Sequence, residues 1–206
     1  MPGAVPAGPA GVAAVVLAGG RAARLGGADK PALIVGGQPL LAAVIVAAAA
    51  AGAGQIVIVG PPRPTLTAPL DGQATMEWVR EDPPGSGPVA ALRCGLAATG
   101  APLILLLAAD LPFLRARQLT ALIAATGPAQ GAVLVDDADR PQWLVGCWAA
   151  SALRAGLARY RGSSLRGLLD PLRPARLTCP AGDGPPPWLD CDTDADLRLA
   201  RAWARR

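Results

Sequence analysis

Short apolar runs, each the length of one buried strand, recur along this chain with helical stretches between them, and that alternation leaves few folds open. A strand is predicted over 12–18, a loop over 19–31 and a helix over about 39–53; strands follow at 56–60, 75–80 and 103–109, with a loop over 81–87 and helices at 88–98 and near 115–125. Strands near 131–136 and 142–149, helices near 150–158 and 163–170, a strand near 174–178 and a closing helix from about 193 complete the pattern. Apolar runs separated by helices indicate β-α-β units. The expected fold class is therefore α/β, a single-domain three-layer α/β/α sandwich with a mostly parallel, Rossmann-like sheet. Residues 12–206 are expected to form that domain, a length sufficient for one real core, and the Pro-, Gly- and Ala-rich residues 1–11 a flexible leader. In such sheets ligands bind beyond the carboxyl ends of the strands, so the loops at 19–30, 60–64, 81–87 and 110–114 are expected to gather around one site.

Composition narrows the chemistry. The chain has no His, which removes Ser-His-Asp and Cys-His nucleophile pairs and the commonest general base together. Cys94, Cys147, Cys179 and Cys191 are widely spaced without a C-x-x-C pair, which argues against zinc and for reduced, small apolar fillers. A formal charge of +4 suits an anionic ligand, but the arginines are scattered singly among few aromatics, so no nucleic-acid partner is expected. No apolar stretch reaches the length of a membrane span, Leu40 to Ala51 being too short, so no membrane partner is expected either. The expected protein is cytoplasmic, a monomer or weak oligomer, and works with carboxylates, cations, backbone amides or a metal.

One lysine occurs in the whole chain, Lys30, against eighteen arginines. It ends a glycine-rich loop, Leu17-Ala18-Gly19-Gly20-Arg21-Ala22-Ala23-Arg24-Leu25-Gly26-Gly27-Ala28-Asp29-Lys30, that follows the first strand. A compact ammonium on a flexible stem suits a moving phosphate better than a planar guanidinium does, and the glycines leave backbone N–H groups free to face an anion. The loop lacks the G-K-[ST] ending of a P-loop and the G-x-G-x-x-G of a dinucleotide site. Gly85-Ser86-Gly87-Pro88 only imitates the latter: Pro88 suits a first helical position, and a tight turn is the plainer reading.

Asp110 follows the wholly apolar Leu103–Ala109 and precedes Leu111-Pro112. A carboxylate there is costly to desolvate, so it is expected to face the cleft and be neutralised by a cation, Mg2+ being favoured over a mere helix cap. Asp190-Cys191-Asp192-Thr193-Asp194-Ala195-Asp196 precedes the last helix. Thr193 with Asp196 reads as a variant capping box, and Asp192 either shares the Asp110 metal or serves only the helix end. Ser163-Ser164-Leu165-Arg166 opens a helix with hydroxyls and a guanidinium; Ser164 and Arg166 are candidates for a phosphorylated acceptor, and an exposed helix cap explains them equally well.

Taken in order, Leu17-Ala18-Gly19-Gly20 with Arg24, Gly26-Gly27 and Asp29-Lys30, then Glu81-Asp82 ahead of Gly87-Pro88, then Asp110-Leu111-Pro112-Phe113, the chain resembles the nucleotidyltransferases that make molybdenum cofactor guanine dinucleotide. The resemblance covers roughly residues 12 to 200. It implies a three-layer α/β/α sandwich, a nucleoside triphosphate such as GTP as donor, a molybdopterin-type acceptor and Mg2+. It also implies backbone contacts to the nucleotide from Leu17, Ala18, Gly19 and Gly20, phosphate contacts from Lys30 and Arg24, a nucleoside contact from Asp82, and Mg2+ on Asp110.

Three departures stand out. The chain has no Asn, so Gly60-Pro61 replaces the asparagine these enzymes commonly place after the second strand. Asp190 and Asp192 replace a pair of asparagines before the last helix, and Gln142-Trp143 stands where a His-Pro pair is common, which makes Gln142 a further acceptor candidate. Two rivals stay open: a relative using CTP or serving another small phosphorylated acceptor, and a nucleotide-binding regulatory module without turnover.

Overall fold

The computed structural model describes residues 11–19, 29–63, 66, 68, 70, 72, 74–127, 129–179 and 184–205. The expected leader, apart from Gly11, and the loop residues Gly20 and Arg24 lie outside the described residues.

The sheet carries seven strands: β1 (Val12–Leu17), β4 (Gln55–Val59), β5 (Thr75–Val79), β6 (Leu103–Ala108), β7 (Gly131–Val135), β8 (Pro141–Ala149) and β9 (Ala175–Thr178). Their order is β5-β4-β1-β6-β8-β7-β9. All run parallel except β8, which is antiparallel to both β6 and β7. The sheet is thus mostly parallel, as the alternation implied. A separate two-stranded hairpin, β2 (Ile34–Val35) with β3 (Gln38–Pro39), was not expected; Gly36 and Gly37 make its turn at φ of +61° and +82°.

Alternation within the strands builds two cores. Ala14 and Val16 of β1 face one side with Leu105 and Leu107 of β6, under α1 (Leu40–Ala50) and α3 (Ala116–Thr126). Ala13 and Val15 face the other with Ile104 and Leu106, under α2 (Pro88–Ala97), α4 (Ala150–Arg159) and α5 (Leu165–Leu169). Helix α1 is apolar almost all round because the sheet, α3 and the hairpin side bury most of its faces; it stops before Gly52, at φ +96°, short of the predicted 53. Small residues let layers close up. A Cβ on Gly95 of α2 would lie 2.5 Å from Cγ1 of Val15, and one on Gly131 would run into the ring of the fully buried Trp148.

A third, smaller cluster positions the site. Val35, Leu40, Phe113, Cys191, Leu197 and Ala200 pack α6 (Asp194–Trp203) against the hairpin and the loop after β6. The expected capping box is present: Thr193 Oγ1 accepts from the Asp196 N–H at 3.2 Å, and the Asp196 carboxylate accepts from the Thr193 N–H at 2.8 Å. No helix among the described residues is long and apolar enough to cross a membrane.

Candidate active site

From β1 the chain turns one way to β4 and β5 and then the other way to β6, so the strand order reverses between β1 and β6. A crevice at the carboxyl ends of the strands is expected at such a point. A cleft of about 1320 Å³ opens there, larger than the pockets of single drug-sized ligands, which run to about 1,000 Å³. Leu17, Ala18 and Gly19 from the β1 end, Pro61 and Arg63 from the β4 end, Glu81 beyond β5, and Asp110 beyond β6 all line it. Described residues from each of the four expected loops line this one cleft.

Lys30 also lines the cleft. The residue starts a short 3-10 helix, Lys30–Ala32, whose second residue, Pro31, is buried. Its Nζ forms ion pairs with Asp110 Oδ2 and with Asp192 Oδ1, the latter at 2.5 Å. Residues 80 and 162 positions away in sequence therefore meet on one ammonium. Burial lowers the pKa of this ammonium, but the Asp110 and Asp192 charges outweigh that effect and hold it above the ordinary lysine value.

The placement of Asp192 follows from Cys191, which is fully buried in the third cluster and turns its neighbours Asp190 and Asp192 toward the cleft that both line. Burial, with the Asp110 charge next, pushes the Cys191 thiol up to about 12, so it is an inert anchor. All four cysteines are free thiols.

Other expected residues are placed less uniformly. Asp82 is exposed and absent from the cleft wall; the carboxylate on that wall is its neighbour Glu81, since consecutive residues leaving a strand point opposite ways. Glu81 Oε1 accepts from the Gly85 N–H at 2.9 Å, while Oε2 is buried without a hydrogen-bond partner. Gly85 and Gly87, at φ of +81° and +93°, form the tight turn that leads into Pro88 and α2, and the start of that helix borders the cleft.

Gln142 lines the cleft and donates to Asp136 Oδ2 at 3.3 Å. Ser164 and Arg166 do not line it; Ser164 is exposed and caps α5 by accepting from the Gly167 N–H at 3.1 Å, and Leu165 between them is the residue that reaches the cleft. Their helix-cap explanation therefore accounts for the geometry. Trp143 and Trp188 also line this side, Trp143 stacked on Trp148 with centroids 6.4 Å apart.

Gly60 lies at a close approach of two strand ends. A Cβ there would lie 2.8 Å from the carbonyl carbon of Ala18, so the close approach of the β1 and β4 ends leaves no room for a side chain. Sequence reasoning missed Arg63, whose guanidinium pairs with Asp29.

Among the described residues no group of three or more His, Cys, Asp or Glu side chains is placed to hold a metal ion. Magnesium does not need one: it is commonly bound by one or two carboxylates together with substrate phosphates and waters. Asp110 and Asp192 supply two hard oxygen donors that already converge on one cation, so the donor set fits Mg2+.

Fold and site together define an α/β protein with a charged ligand cleft at the switch point of its sheet. Residues 14–177 match the family described as the MobA-like NTP transferase domain, and the chain belongs to that family of nucleotidyltransferases. Among solved structures it is similar to a nucleotidyl transferase from Methanothermobacter, at 21% identity and TM-score 0.74 over 94% of this chain and 98% of that one. It is also similar to molybdopterin-guanine dinucleotide biosynthesis protein A from Archaeoglobus fulgidus, at 19% identity and TM-score 0.64 over 92% and 96%. A third likeness is to 2-C-methyl-D-erythritol 4-phosphate cytidylyltransferase from Thermus thermophilus, at 19% identity and TM-score 0.66 over 95% and 100%. These likenesses establish the fold. No curated protein matches the chain in sequence.

Proposed function

We propose that the chain transfers GMP from GTP to the terminal phosphate of molybdopterin, or of a closely related molybdenum cofactor precursor, and releases pyrophosphate. The observation that carries this reading is the convergence of Lys30, Asp110 and Asp192 in a cleft roomy enough for two substrates. An acceptor phosphate oxygen attacks the α-phosphorus, the bond from that phosphorus to the bridging oxygen breaks, and pyrophosphate leaves with the electron pair. A phosphate monoester is largely dianionic near pH 7, so the attack needs no histidine base, in keeping with a chain that has none.

The protein's task is to position and neutralise. Lys30 places its ammonium beside the triphosphate, and the Ala18 and Gly19 backbone lies along the same wall. Magnesium, held by Asp110 and Asp192, would supply Lewis-acid charge at the phosphates. The wall beyond β5 offers Glu81, and a carboxylate suits guanine, whose Watson–Crick edge presents adjacent N–H donors. Gln142, Trp143 and Trp188 line the same cleft, and in this reading they serve the acceptor.

The test combines purified protein, Mg2+, molybdopterin and each of the four nucleoside triphosphates in turn, with pyrophosphate as readout. Release with GTP alone is expected. Release with CTP instead would establish the cytidylyl rival, and nucleotide binding without release in any arm would establish a regulatory module.

A further inference from the structure

Arg63 lines the cleft, yet its guanidinium is engaged by protein partners. Nε donates to both oxygens of Asp29, at 2.9 and 2.7 Å. One terminal nitrogen donates to Asp29 Oδ1 at 2.6 Å and to the Ala18 carbonyl at 3.3 Å, and the other donates to the Pro61 carbonyl at 3.1 Å. The guanidinium carbon lies 5.9 Å from the centroid of the Trp78 ring, and the side chain is only 10% exposed. A guanidinium so engaged has little left for a phosphate.

What Arg63 holds is the base of Lys30. Asp29 is the residue that caps the Lys30–Ala32 turn, its carbonyl accepting from the Ala32 N–H at 2.9 Å, and Ala18 belongs to the first loop. A two-pronged arginine–carboxylate pair fixes orientation as well as distance. The lysine stem is flexible, so where the ammonium points is governed by where the backbone at 29–31 is held.

We propose that Arg63 is the positioning residue for Lys30: through Asp29 it holds the 30–32 turn so that the ammonium reaches Asp110, Asp192 and the phosphates that bind beside them. The kinetic part of the test rests on nucleotidyl transfer being the function; the spectroscopic part does not.

Because Lys30 is the only lysine, labelling with 15N-lysine gives one side-chain ammonium signal. In the unmodified protein that group is clasped by two carboxylates and 18% exposed, so a 15Nζ–1H cross peak is expected. In Arg63→Ala and Asp29→Asn, each checked to be folded by circular dichroism, the peak is expected to disappear into solvent exchange. An unchanged peak in both variants overturns the assignment.

In pyrophosphate assays Arg63→Lys is expected to lower kcat about tenfold or more with a smaller change in KM for the triphosphate, because lysine cannot reproduce the fork. In a Lys30→Met background the same change is expected to add no further loss. A further loss of the same size there overturns the assignment, since Arg63 would then act without Lys30. Should the unmodified protein release no pyrophosphate, nucleotidyl transfer is refuted as its function while the ammonium signal still decides the role of Arg63.

Discussion

Replacing Lys30 with methionine keeps the length of the stem and removes the charge, leaving the Asp110 and Asp192 carboxylates to face each other. Two unit charges about 4 Å apart repel by about 4 kcal/mol at an effective dielectric near 20. The Asp192 side chain is 51% exposed, so solvent screening reduces the net cost to about 1 kcal/mol. For a chain of this size each kcal/mol moves the melting temperature by about 2–4 °C. Lys30→Met without metal is therefore expected to melt a few degrees below the unmodified protein in a calorimetric scan. Mg2+ or Mn2+ is expected to raise the variant's melting temperature more than that of the unmodified protein, because a divalent ion can take the vacated position between the carboxylates. Pyrophosphate release is expected to fall about a hundredfold or more, as for loss of one transition-state donor. Equal melting temperatures, no response to the ion and full activity would together refute the idea that this ammonium neutralises the pair.

Gly60→Ala places a Cβ against the Ala18 carbonyl group, and displacing the first loop is expected to weaken GTP binding about tenfold in calorimetry while costing about 1–3 kcal/mol in a urea melt. Asp136 links β7 to β8 by accepting from the Arg140 and Ala138 N–H groups; the Arg140 backbone bond foremost holds its carboxyl below the ordinary value of 3.8. A carboxylate with a depressed folded pKa adds stability above its unfolded value and loses it as pH falls through the folded one. Asp136→Asn is therefore expected to be less stable than the parent at pH 7, with the gap closing below about pH 4 in urea melts at several pH values.

The strands that position the site were legible because parallel strands buried on both faces leave unbroken apolar runs, as Val12–Leu17 and Leu103–Ala108 do. The reversed direction of β8 is not written in its own residues, since an apolar run reads alike both ways. It is written in the short link of residues 136–140, which can join only antiparallel neighbours. The β2–β3 hairpin had its signal too, in the Gly36-Gly37 pair. Lys30 and Asp110 were nameable because each is a charge at the end of a glycine-rich or apolar segment, and Asp192 because it stands in the acidic cluster before the last helix. Arg63 and Glu81 were not: the pairing of Arg63 with Asp29 exists only once β1 and β4 are side by side, and the preference for Glu81 over Asp82 on the cleft wall depends on how the chain leaves β5.

A single lysine makes the central claim directly measurable. Acylation of Lys30 by a dilute amine-reactive ester, followed by mass spectrometry of its peptide, reports how freely that ammonium meets solvent. With GTP and Mg2+ present the rate is expected to fall severalfold or more, and Asp110→Asn is expected to lose that protection. A rate unaffected by saturating GTP and Mg2+ would contradict the claim that the nucleotide's phosphates lie against Lys30.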